Sequence, residues 1–473
     1  MYIKGNYIDN EIAAVEGEYV KVTISGDGNY HTVPVSLSYT DGNTDVVLSS
    51  YPMGGVEYGF VMPAKPVTVT GLCLYGGYCG DANNEDVKFY LDGTVLKFVG
   101  KDGSDYQMKS SYTSVSDVPW YNISAIRDVY TSVEIASNVT SISPYAFFGS
   151  HLTSVTIPTS VTTIGNFAFG NCTSLPSIQV ADGQSYFSSD EGGVLYNNDK
   201  TTMICYPAGK TTPTPYTLPA SVTNVSEGAF AYNTHLTAIE VAANSPFTAP
   251  NGVLYKGNVL YCYPARKTGY VYDVASTVTE IKPYAFHNNN QLKVVNFCET
   301  SVPTGGTEMF GGTIHNDLRI LVKNGLKVGN DASHYQGADY WKDYYTRIYE
   351  MNLANADVSL EYYTHKYEDN YLRPGVNSVK ITVGGQETTL RKDIDYLTIS
   401  YGSYTNNNAV GTATVTVTGK NGYNGTSKAT NFTITRELII SGADNRYTYY
   451  ASEDLTLPSH LTAWTYTAIN WET

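Results

Sequence analysis

The chain has 473 residues, of which only 15% are charged, and its 44 acidic and 29 basic side chains give a formal net charge of −15. At roughly 150 residues per domain, this length predicts about three domains. An acidic chain without a basic stripe excludes nucleic acid and anionic membrane as partners, because phosphate contacts require clustered Lys and Arg. Aromatic residues make up 13% of the chain, which excludes disorder.

The composition favours strands over helices. Thr, Tyr and Val are strand formers and are abundant, whereas Lys, Glu and Ala, the usual helix formers, are scarce. No stretch reaches the ~18 apolar residues of a membrane helix, so we expect no membrane insertion within this chain. The first seven residues have no apolar stretch, so we expect no export signal within this sequence.

Residues 1–72 have the pattern of a small β-module. Apolar and polar residues alternate over 19–24, and the segment ends on Phe60-Val-Met-Pro63-Ala-Lys-Pro66-Val-Thr-Val-Thr70. Such alternation places one side of each strand in a core. We interpret this segment as an antiparallel β-sandwich or grasp-like sheet.

One phrase occurs four times in the middle of the chain. It has apolar residues at its first and fourth positions, ends in Ala-Phe, and occupies 139–147, 161–169, 222–230 and 278–286. Each copy is followed by Leu-x-x-(Val/Ile)-x-(Ile/Val/Phe), which predicts a short strand with one apolar face. One repeat cannot bury that face alone, so we expect the repeats to stack into a curved solenoid with a continuous core.

A polar residue follows the repeat Phe at a fixed distance. Three residues after the Phe, the last three copies have Cys172, Asn233 and Asn289. A side chain there is expected to bond to the backbone of adjacent turns. The first copy has Ser150 and one residue fewer before Leu152, which predicts a tighter or irregular turn.

The intervals between the last three copies are long and contain paired apolar runs. These runs are 193–196 with 204–207, and 252–255 with 261–264. Two short apolar runs separated by Asn, Asp, Lys or Gly are typical of hairpins. We interpret the hairpins as extra turns of the same stack.

The repeat phrases resemble the BspA-like leucine-rich repeat family of bacterial surface and secreted proteins. The resemblance implies a solenoid over 73–350 with a cap at each end. The N-terminal cap would contain Gly77-Tyr78-Cys79-Gly80 and a strand pair around 87–99. The C-terminal cap would contain a closing strand at 318–322 and a short helix at 340–344. A fold of this kind does not dictate an activity.

After the repeats, short strands with Gly and Asn turns return. Residues 351–436 are similar to bacterial immunoglobulin-like modules, above all at 411–420, and we predict an Ig-like sandwich there. Residues 437–473 are expected to begin a further, truncated β segment. The predicted fold class is therefore mostly β, a leucine-rich-repeat solenoid with β-sandwich modules at both ends.

Sequence motifs for catalysis and metal binding are absent. The chain has no H-E-x-x-H, no G-x-S-x-G and no G-x-x-x-x-G-K-(S/T). The six cysteines, at 73, 79, 172, 205, 262 and 298, include no C-x-x-C pair and are expected to be buried, with a Cys73–Cys79 bridge left open. We expect no enzyme activity, no catalytic residue, no metal site and no cofactor.

Two groups of residues are candidates for ligand binding. The first is the concave strand face, where the solvent-facing positions are Thr156, Gln179, Glu240 and Asn296, with Ser154, Ser177, Ala238 and Val294 two residues earlier. The second group is the hairpin tyrosines, which supply amphipathic contact area: Tyr196, Tyr206, Tyr255, Tyr261 and Tyr263. These tyrosines either pack between turns or contact a glycan or protein.

The leading functional hypothesis is a non-enzymatic cell-surface or secreted protein. It would act in adhesion or host interaction through protein–protein contacts of the solenoid, with a host or bacterial surface protein as partner. The alternative is a carbohydrate-binding surface protein, which the many Tyr and Asn residues suggest.

Overall fold

The structure is a computed structural model that describes the backbone of most of the chain. The described ranges are 19–23, 32–40, 45–47, 50–52, 56–61, 68–211, 215–366, 371–435, 437–441 and 446–450, with side chains at 74–211, 215–365 and 371–435. The rest of the predicted segments 1–72 and 437–473 lies outside the described residues.

The chain divides into two compact units. Unit 1 consists of 1–268, 280–291 and 306–314, and unit 2 of 269–279, 292–305 and 315–473. Each unit is described by itself below.

Unit 1 begins with antiparallel strands. They are β1 (Tyr19–Thr23), β2 (Thr32–Thr40), β3 (Asp45–Val47), β4 (Ser50–Pro52), β5 (Val56–Val61) and β6 (Thr68–Tyr78). One sheet has the order β1-β5-β4, and β3-β2-β6 begins a second. Strand β6 crosses the predicted boundary between residues 72 and 73, because it pairs with β2 over 68–75 and with the next strand over 76–78.

The N-terminal cap of the repeats follows directly. It contains a 3-10 turn (Asn84–Asp86), β7 (Val87–Asp92), β8 (Val95–Gly100), a second 3-10 turn (Val115–Asp117), α1 (Ser124–Arg127) and β9 (Ser132–Ile135). The predicted strand pair around 87–99 is thus confirmed. Trp120 is fully buried between Phe89 and Phe98, and its indole N–H donates to the carbonyl of Ala146 over 2.6 Å. This bond ties the cap to the first repeat.

Two parallel ladders run through the repeats of unit 1. The strands of this region are β10 (Ser141–Ile142), β11 (Thr156–Ile157), β12 (Thr163–Ile164), β13 (Gln179–Val180), β14 (Phe187–Ser189), β15 (Leu195–Asn197), β16 (Thr202–Cys205), β17 (Tyr216–Leu218), β18 (Asn224–Val225), β19 (Ile239–Val241), β20 (Leu254–Lys256), β21 (Val259–Cys262) and β23 (Glu280–Ile281). Of these, β14, β15 and β20 pair antiparallel and the others belong to the parallel ladders. The phrase that ends in Ala-Phe supplies the pairs β10–β12, β16–β18 and β21–β23. The phrase that starts with Leu supplies β11–β13 and β17–β19.

The two predicted hairpins are confirmed, and each opens an extra turn. Strands β15 and β16 pair antiparallel, as do β20 and β21. The second strand of each hairpin then pairs in parallel with the next repeat phrase, β16 with β18 and β21 with β23. The second strand of each hairpin therefore takes the place in the parallel ladder that an Ala-Phe phrase takes in a shorter repeat, as β10 does next to β12.

An aromatic side chain occupies the same position in successive turns, and we call this set the aromatic column. Its members are Phe147, Phe169, Tyr206, Phe230, Tyr263, Phe286 and Phe310, all buried except the half-buried Phe230. Ring centroids are 5.5 Å apart in the pair Phe147–Phe169 and 4.7 Å apart in Phe286–Phe310. Stacked rings at this separation add to the free energy gained from burial.

Backbone hydrogen bonds fix the same spacing. The N–H of Phe147 donates to Ala168 over 2.8 Å, and that of Tyr206 donates to Ala229 over 2.8 Å. In the last turns, the N–H of Phe286 donates to Met309 over 2.7 Å. Each column residue with such a bond is thus held both by its ring and by its backbone.

The turn at Met309-Phe310 is a further copy that the sequence analysis missed. The residue before it, Glu308, has a φ of 51°, and the corresponding residues Tyr145 and Tyr284 have φ of 58° and 62°. The copy was missed because it has Met309 where the phrase has Ala and Gly305 where it has Val or Ile.

The predicted polar ladder is confirmed. The amide of Asn233 donates to the carbonyls of Pro207, Ala208 and Lys210 over 2.9–3.2 Å, and its oxygen accepts from the backbone of Leu236. Asn289 bonds in the same way to the preceding turn. In the first repeat Ser150 is buried and lies 3.4 Å from the sulfur of Cys172, which donates to the carbonyl of Phe147.

Unit 2 starts with the last parallel strands. They are β22 (Val271–Val274), β24 (Val294–Phe297), β25 (Arg319–Lys323) and β26 (Ile348–Met351), paired in that order. The strand predicted at 318–322 is present as β25, but β26 pairs beyond it and ends the sheet; the predicted short helix is a 3-10 helix at Lys342–Arg347. Trp341 is fully buried against Phe297 and donates to the carbonyl of Pro303 over 2.7 Å.

Two sheets follow within unit 2. Their strands are β27 (Asp357–Leu360), β28 (Thr364–Lys366), β29 (Val376–Val383), β30 (Gln386–Thr389), β31 (Tyr404–Thr405), β32 (Gly411–Thr418) and β33 (Ser427–Thr435), and a separate hairpin is formed by β34 (Glu437–Ser441) and β35 (Arg446–Tyr450). Short 3-10 turns lie at Tyr401–Ser403 and Asn421–Tyr423. The sheet orders are β27-β29-β30 and β28-β33-β32-β31.

The core of these two sheets continues onto the parallel strands. Val294, Leu321 and Met351 share one apolar cluster with Val379 and Val415. Residues 357–435 therefore cover one side of β24, β25 and β26. The burial of these apolar side chains is the main interaction that stabilises the junction.

A guanidinium adds a polar contact at this junction. Arg391 donates to both carboxylate oxygens of Asp273 over 2.8 and 2.9 Å, and to those of Asp395 over 2.9 Å. Burial opposes ionisation of Asp273, but the hydrogen bonds from Arg391 and Asn296 outweigh it and lower its pKa. Bidentate arginine–carboxylate pairs of this kind are stronger than ion pairs with a single hydrogen bond.

The aromatic column predicts a large loss of stability when one ring is removed. Phe169→Ala should lower the free energy of unfolding by about 3–5 kcal/mol, because it leaves a cavity between turns. Urea denaturation of the full chain measures this change. Thr217→Ala, at an exposed strand position, serves as the control and should change stability by less than about 0.5 kcal/mol. An unchanged midpoint for Phe169→Ala would contradict the repeat register.

The Asp273 contact predicts a pH-dependent stability. Asp273→Asn should destabilise unit 2 by about 1 kcal/mol at neutral pH. The folded pKa of Asp273 is depressed, so its contribution is complete above the unfolded pKa of about 3.9 and is lost as the pH falls through the lower folded value. Unfolding curves at several pH values should therefore converge for the variant and the natural chain at low pH. Asp343→Asn removes an exposed carboxylate of the same unit and should show no stability gap that closes at low pH. If the gap between Asp273→Asn and the natural chain persists at low pH, the proposed role of Asp273 is refuted.

Candidate functional site

The predicted ligand-binding positions of unit 1 lie on two pairs of parallel strands, and we call the solvent side of these pairs the strand face. The pairs are β11 with β13 and β17 with β19. In the ladder register Thr156 lies next to Gln179, and Thr217 lies next to Glu240. All four side chains are exposed. They alternate with buried residues such as Ile157 because neighbouring side chains in a strand point to opposite sides.

The chemistry of the strand face is polar and small. Ser154 is exposed and Ser177 is half-buried, and the amide of Gln179 donates to the hydroxyl of Ser177 over 3.3 Å. Glu240 supplies the negative charge among the predicted positions. Such a surface can exchange hydrogen bonds with an extended partner.

Sequence analysis missed Thr217. Its strand, β17, lies after a hairpin and before the next Ala-Phe phrase, and its pairing with β19 reveals it as a repeat strand. The signal was present as the alternation in Tyr216-Thr217-Leu218, where Leu218 is buried and Thr217 is exposed.

The prediction that Asn296 and Val294 face solvent was wrong. Asn296 is 6% exposed and Val294 is 3% exposed. The amide of Asn296 donates to Asp273 over 2.6 Å, and Val294 packs into the core shared with residues 357–435. In unit 2 the corresponding strand side is thus covered by the sheets that follow it.

A polar cavity of about 410 Å³ lies within unit 2. Its lining includes Asp273 and Lys323 on the parallel strands, Ser276 and Cys298 just after strand ends, and Asn421 in a later 3-10 turn. Burial raises the pKa of the Cys298 thiol to about 11, so this thiol is protonated at neutral pH. Among the residues that the structure describes, no group of three His, Cys, Asp or Glu side chains could hold a metal ion.

Four of the five hairpin tyrosines lie inside the protein, which favours packing between turns over contact with a ligand. Tyr196, Tyr206, Tyr255 and Tyr263 are at most 5% exposed. Tyr206 and Tyr263 belong to the aromatic column, because the extra turns use Tyr where the repeat phrase has Phe.

The other hairpin tyrosines are held by local contacts. The hydroxyl of Tyr196 bonds to that of Tyr216 and lies 3.3 Å from Asp190. Tyr261 is half-buried, with its ring 5.2 Å from that of Phe247. These tyrosines therefore pack between turns, which was the other interpretation of their pattern.

The cysteines whose side chains the structure describes are free. No disulfide is formed by Cys79, Cys172, Cys205, Cys262 or Cys298. The Cys73–Cys79 disulfide, which the sequence left undecided, is therefore not formed. Burial raises the pKa of Cys172 to about 11 and that of Cys205 to about 12. These thiols act as small apolar groups in the core. The side chain of Cys73 lies outside the described residues.

Comparison with known proteins bears on the repeats. Residues 127–214 and 270–332 match the BspA type leucine rich repeat region in six copies. A search of curated proteins finds no match. Within the described part of the chain, no helix has the length and apolar character needed to cross a membrane.

Solved structures of leucine-rich repeat proteins are also similar. A protein of this kind from Eubacterium ventriosum is 27% identical over 50% of this chain and 64% of that chain, with a TM-score of 0.34. The pneumococcal vaccine antigen PcpA is 18% identical over 52% and 73%, with a TM-score of 0.27. A leucine rich cell surface protein from Faecalibacterium prausnitzii is 20% identical over 50% and 76%, with a TM-score of 0.24.

The chain spans less than two thirds of the length of the Eubacterium ventriosum protein. Its matched segments contain the Ala-Phe phrases at 139–147, 161–169 and 278–286 and the turn at Phe310, whereas the phrase at 222–230 lies between them. The chain is therefore a mostly β protein that carries BspA-type leucine-rich repeats.

Proposed function

We propose that the chain is a non-enzymatic binding protein of the cell surface or of the secreted fraction, and that it acts in adhesion through protein–protein contacts of the strand face. The observation that carries this proposal is the run of exposed polar side chains on neighbouring parallel strands. Thr156 and Gln179 are adjacent in register, as are Thr217 and Glu240.

The geometry of the face suits an extended partner. Paired strands lie about 4.8 Å apart, so the exposed polar groups of each pair, β11 with β13 and β17 with β19, form a short row in register. Solenoids commonly bind partners along such a row rather than in a closed pocket. The surface location rests on the resemblance of the repeats to the BspA-like family, and a host or bacterial surface protein is the proposed partner.

A protein partner is favoured over a glycan. The glycan alternative was suggested by the many Tyr and Asn residues, and four of the five hairpin tyrosines are buried. Without exposed rings on the strand face, a sugar would lack the apolar surface on which it usually stacks. The small polar side chains that remain are suited to hydrogen bonds with a polypeptide.

We further propose that the segments outside the repeats are spacers. Residues 351–436 would form an Ig-like sandwich, which the two sheets with a common core support. Residues 1–72 would form the N-terminal β-module, which β1 to β5 support, and residues 437–473 would begin a further β segment, which β34 and β35 support.

An array screen tests the proposed role. The full chain is applied to immobilised host matrix proteins, bacterial surface proteins and glycans. We expect saturable binding to a protein, and we expect the triple variant Thr156→Ala, Gln179→Ala, Glu240→Ala to lose it by tenfold or more, or about 1.4 kcal/mol.

The matched control is Asn198→Ala together with Asn258→Ala, two exposed hairpin positions away from the strand face. This variant should bind as the natural chain does. Binding to a defined glycan alone would reverse the choice of partner, and a protein ligand that the triple variant retains would exclude the strand face.

A further inference from the structure

Six aromatic rings form a second surface feature of unit 1, which we call the ring cluster. It consists of Tyr145, Phe148, Phe167, Tyr232, Tyr284 and His287. Neighbouring ring centroids are 4.5 to 6.1 Å apart, from Tyr232–His287 to Tyr232–Tyr284. The cluster joins side chains from 145 to 287 into one continuous group. Five of the rings are half-buried and therefore still reach solvent, while His287 lies beneath them at 6% exposure.

The backbone under the cluster is strained. Tyr145, Phe167, Tyr232 and Tyr284 have φ between 58° and 69°, the left-handed region. Bulky residues rarely adopt this conformation, which costs roughly 1 kcal/mol or more for each residue. Tyr145, Phe167 and Tyr284 stand at the same position of their copies, directly before the Ala-Phe pair, and Glu308 has a φ of 51° at that position before Met309-Phe310. The turn therefore imposes this backbone conformation, and in three copies it presents an aromatic ring.

Gly228 shows that the turn does not need a ring. It stands immediately before Ala-Phe, where the other copies have Tyr145, Phe167 and Tyr284, and its φ is 68°. A glycine adopts this φ without strain. A Cβ on Gly228 would lie 2.1 Å from the ring of Phe167, so the missing side chain leaves room for that ring.

Two carboxylates lie beside the rings. Glu227 and Glu308 are both exposed. Burial raises the pKa of Tyr145, and the negative charge of Glu227 raises it further. Burial and, to a smaller extent, the charge of Glu308 raise the pKa of Tyr232 to about 12. The rim of the cluster is therefore negative, as is the chain as a whole at −15.

Basic side chains of the protein itself are engaged elsewhere. Lys256 lies 5.3 Å over the ring of Phe247, and Lys282 lies 5.6 Å over Tyr261, is paired with Glu280 and also interacts with the charge of Glu227. Within the described ranges, no Lys or Arg is placed over a ring of the cluster. Its aromatic faces are thus open to a cation from outside the chain.

We propose that the ring cluster is a second binding surface, separate from the strand face, and that it takes lysine and arginine side chains from an extended basic segment of a partner protein. A cation over an aromatic face is attracted by the ring quadrupole. Glu227 and Glu308 supply the opposite charge at the rim. In an extended segment, alternate side chains lie about 6.6 Å apart, close to the ring spacing, so alternate basic residues reach neighbouring rings.

The test uses a labelled peptide of four Arg-Ser repeats and the full chain. Fluorescence anisotropy at 150 mM salt measures binding, because screening limits attraction by net charge alone. The double variant Tyr145→Leu, Tyr284→Leu keeps apolar bulk but removes two aromatic faces, and it should bind about tenfold more weakly. Tyr145→Phe with Tyr284→Phe keeps the faces and should bind within about twofold of the natural chain.

The rim and the folded state need their own controls. Glu227→Gln with Glu308→Gln should weaken binding and reduce its dependence on salt, whereas Glu240→Gln on the strand face should leave binding unchanged. Thermal unfolding reports whether each variant folds. If the double Leu variant does not fold, the single variant Tyr232→Leu takes its place and should bind about threefold more weakly.

Three outcomes would overturn the proposal. The first is no saturable binding of the peptide to the natural chain. The second is equal binding by the Leu and Phe variants, which would reduce the attraction to net charge. The third is binding of neutral maltohexaose in place of the peptide, which would assign the rings to sugar stacking. None of these results bears on the strand face, so the two proposals fail separately.

Discussion

The repeats depend on one contact, in which an aromatic ring of each turn stacks on the equivalent ring of a neighbouring turn. Where Phe286 stacks on Phe310, the backbone N–H of Phe286 also donates to the adjacent turn, so one residue sets both the side-chain and the backbone spacing. The strands of a repeat are only two to four residues long in unit 1. Strands this short are not stable alone, and their register follows from the stacking.

Much of this arrangement could be predicted because it repeats in the sequence. The Ala-Phe phrases, the ladder asparagines Asn233 and Asn289, and the hairpins all follow from spacing and residue type. The turn at Phe310 could not be found in this way, because it keeps the aromatic residue and the backbone conformation but changes the residues around them. The role of Tyr206 was hidden for a related reason, since its hairpin lacks the Ala that marks the phrase.

The solvent face of the strands shows a different limit. Periodicity tells which side of a strand leaves the solenoid core, but it does not tell what else covers that side. Thr156 and Gln179 are exposed as predicted, whereas Asn296 is buried. It donates to Asp273, which in turn accepts from Arg391, a residue much later in the chain. In unit 1 this leaves two exterior features, the polar strand face and the aromatic ring cluster, whose chemistry suits different contacts. The strand face offers hydrogen bonds, and the ring cluster offers aromatic faces with a negative rim.

Native-state hydrogen exchange on the full chain tests the central role of the stacking most directly. The amides of Phe147, Tyr206, Tyr263 and Phe286 each donate to the neighbouring turn. The account predicts that these amides exchange only when unit 1 unfolds, so that their free energy of exchange equals the free energy of unfolding measured with urea. Exchange of these amides at the rate of exposed hairpin positions such as Asn258 would contradict it.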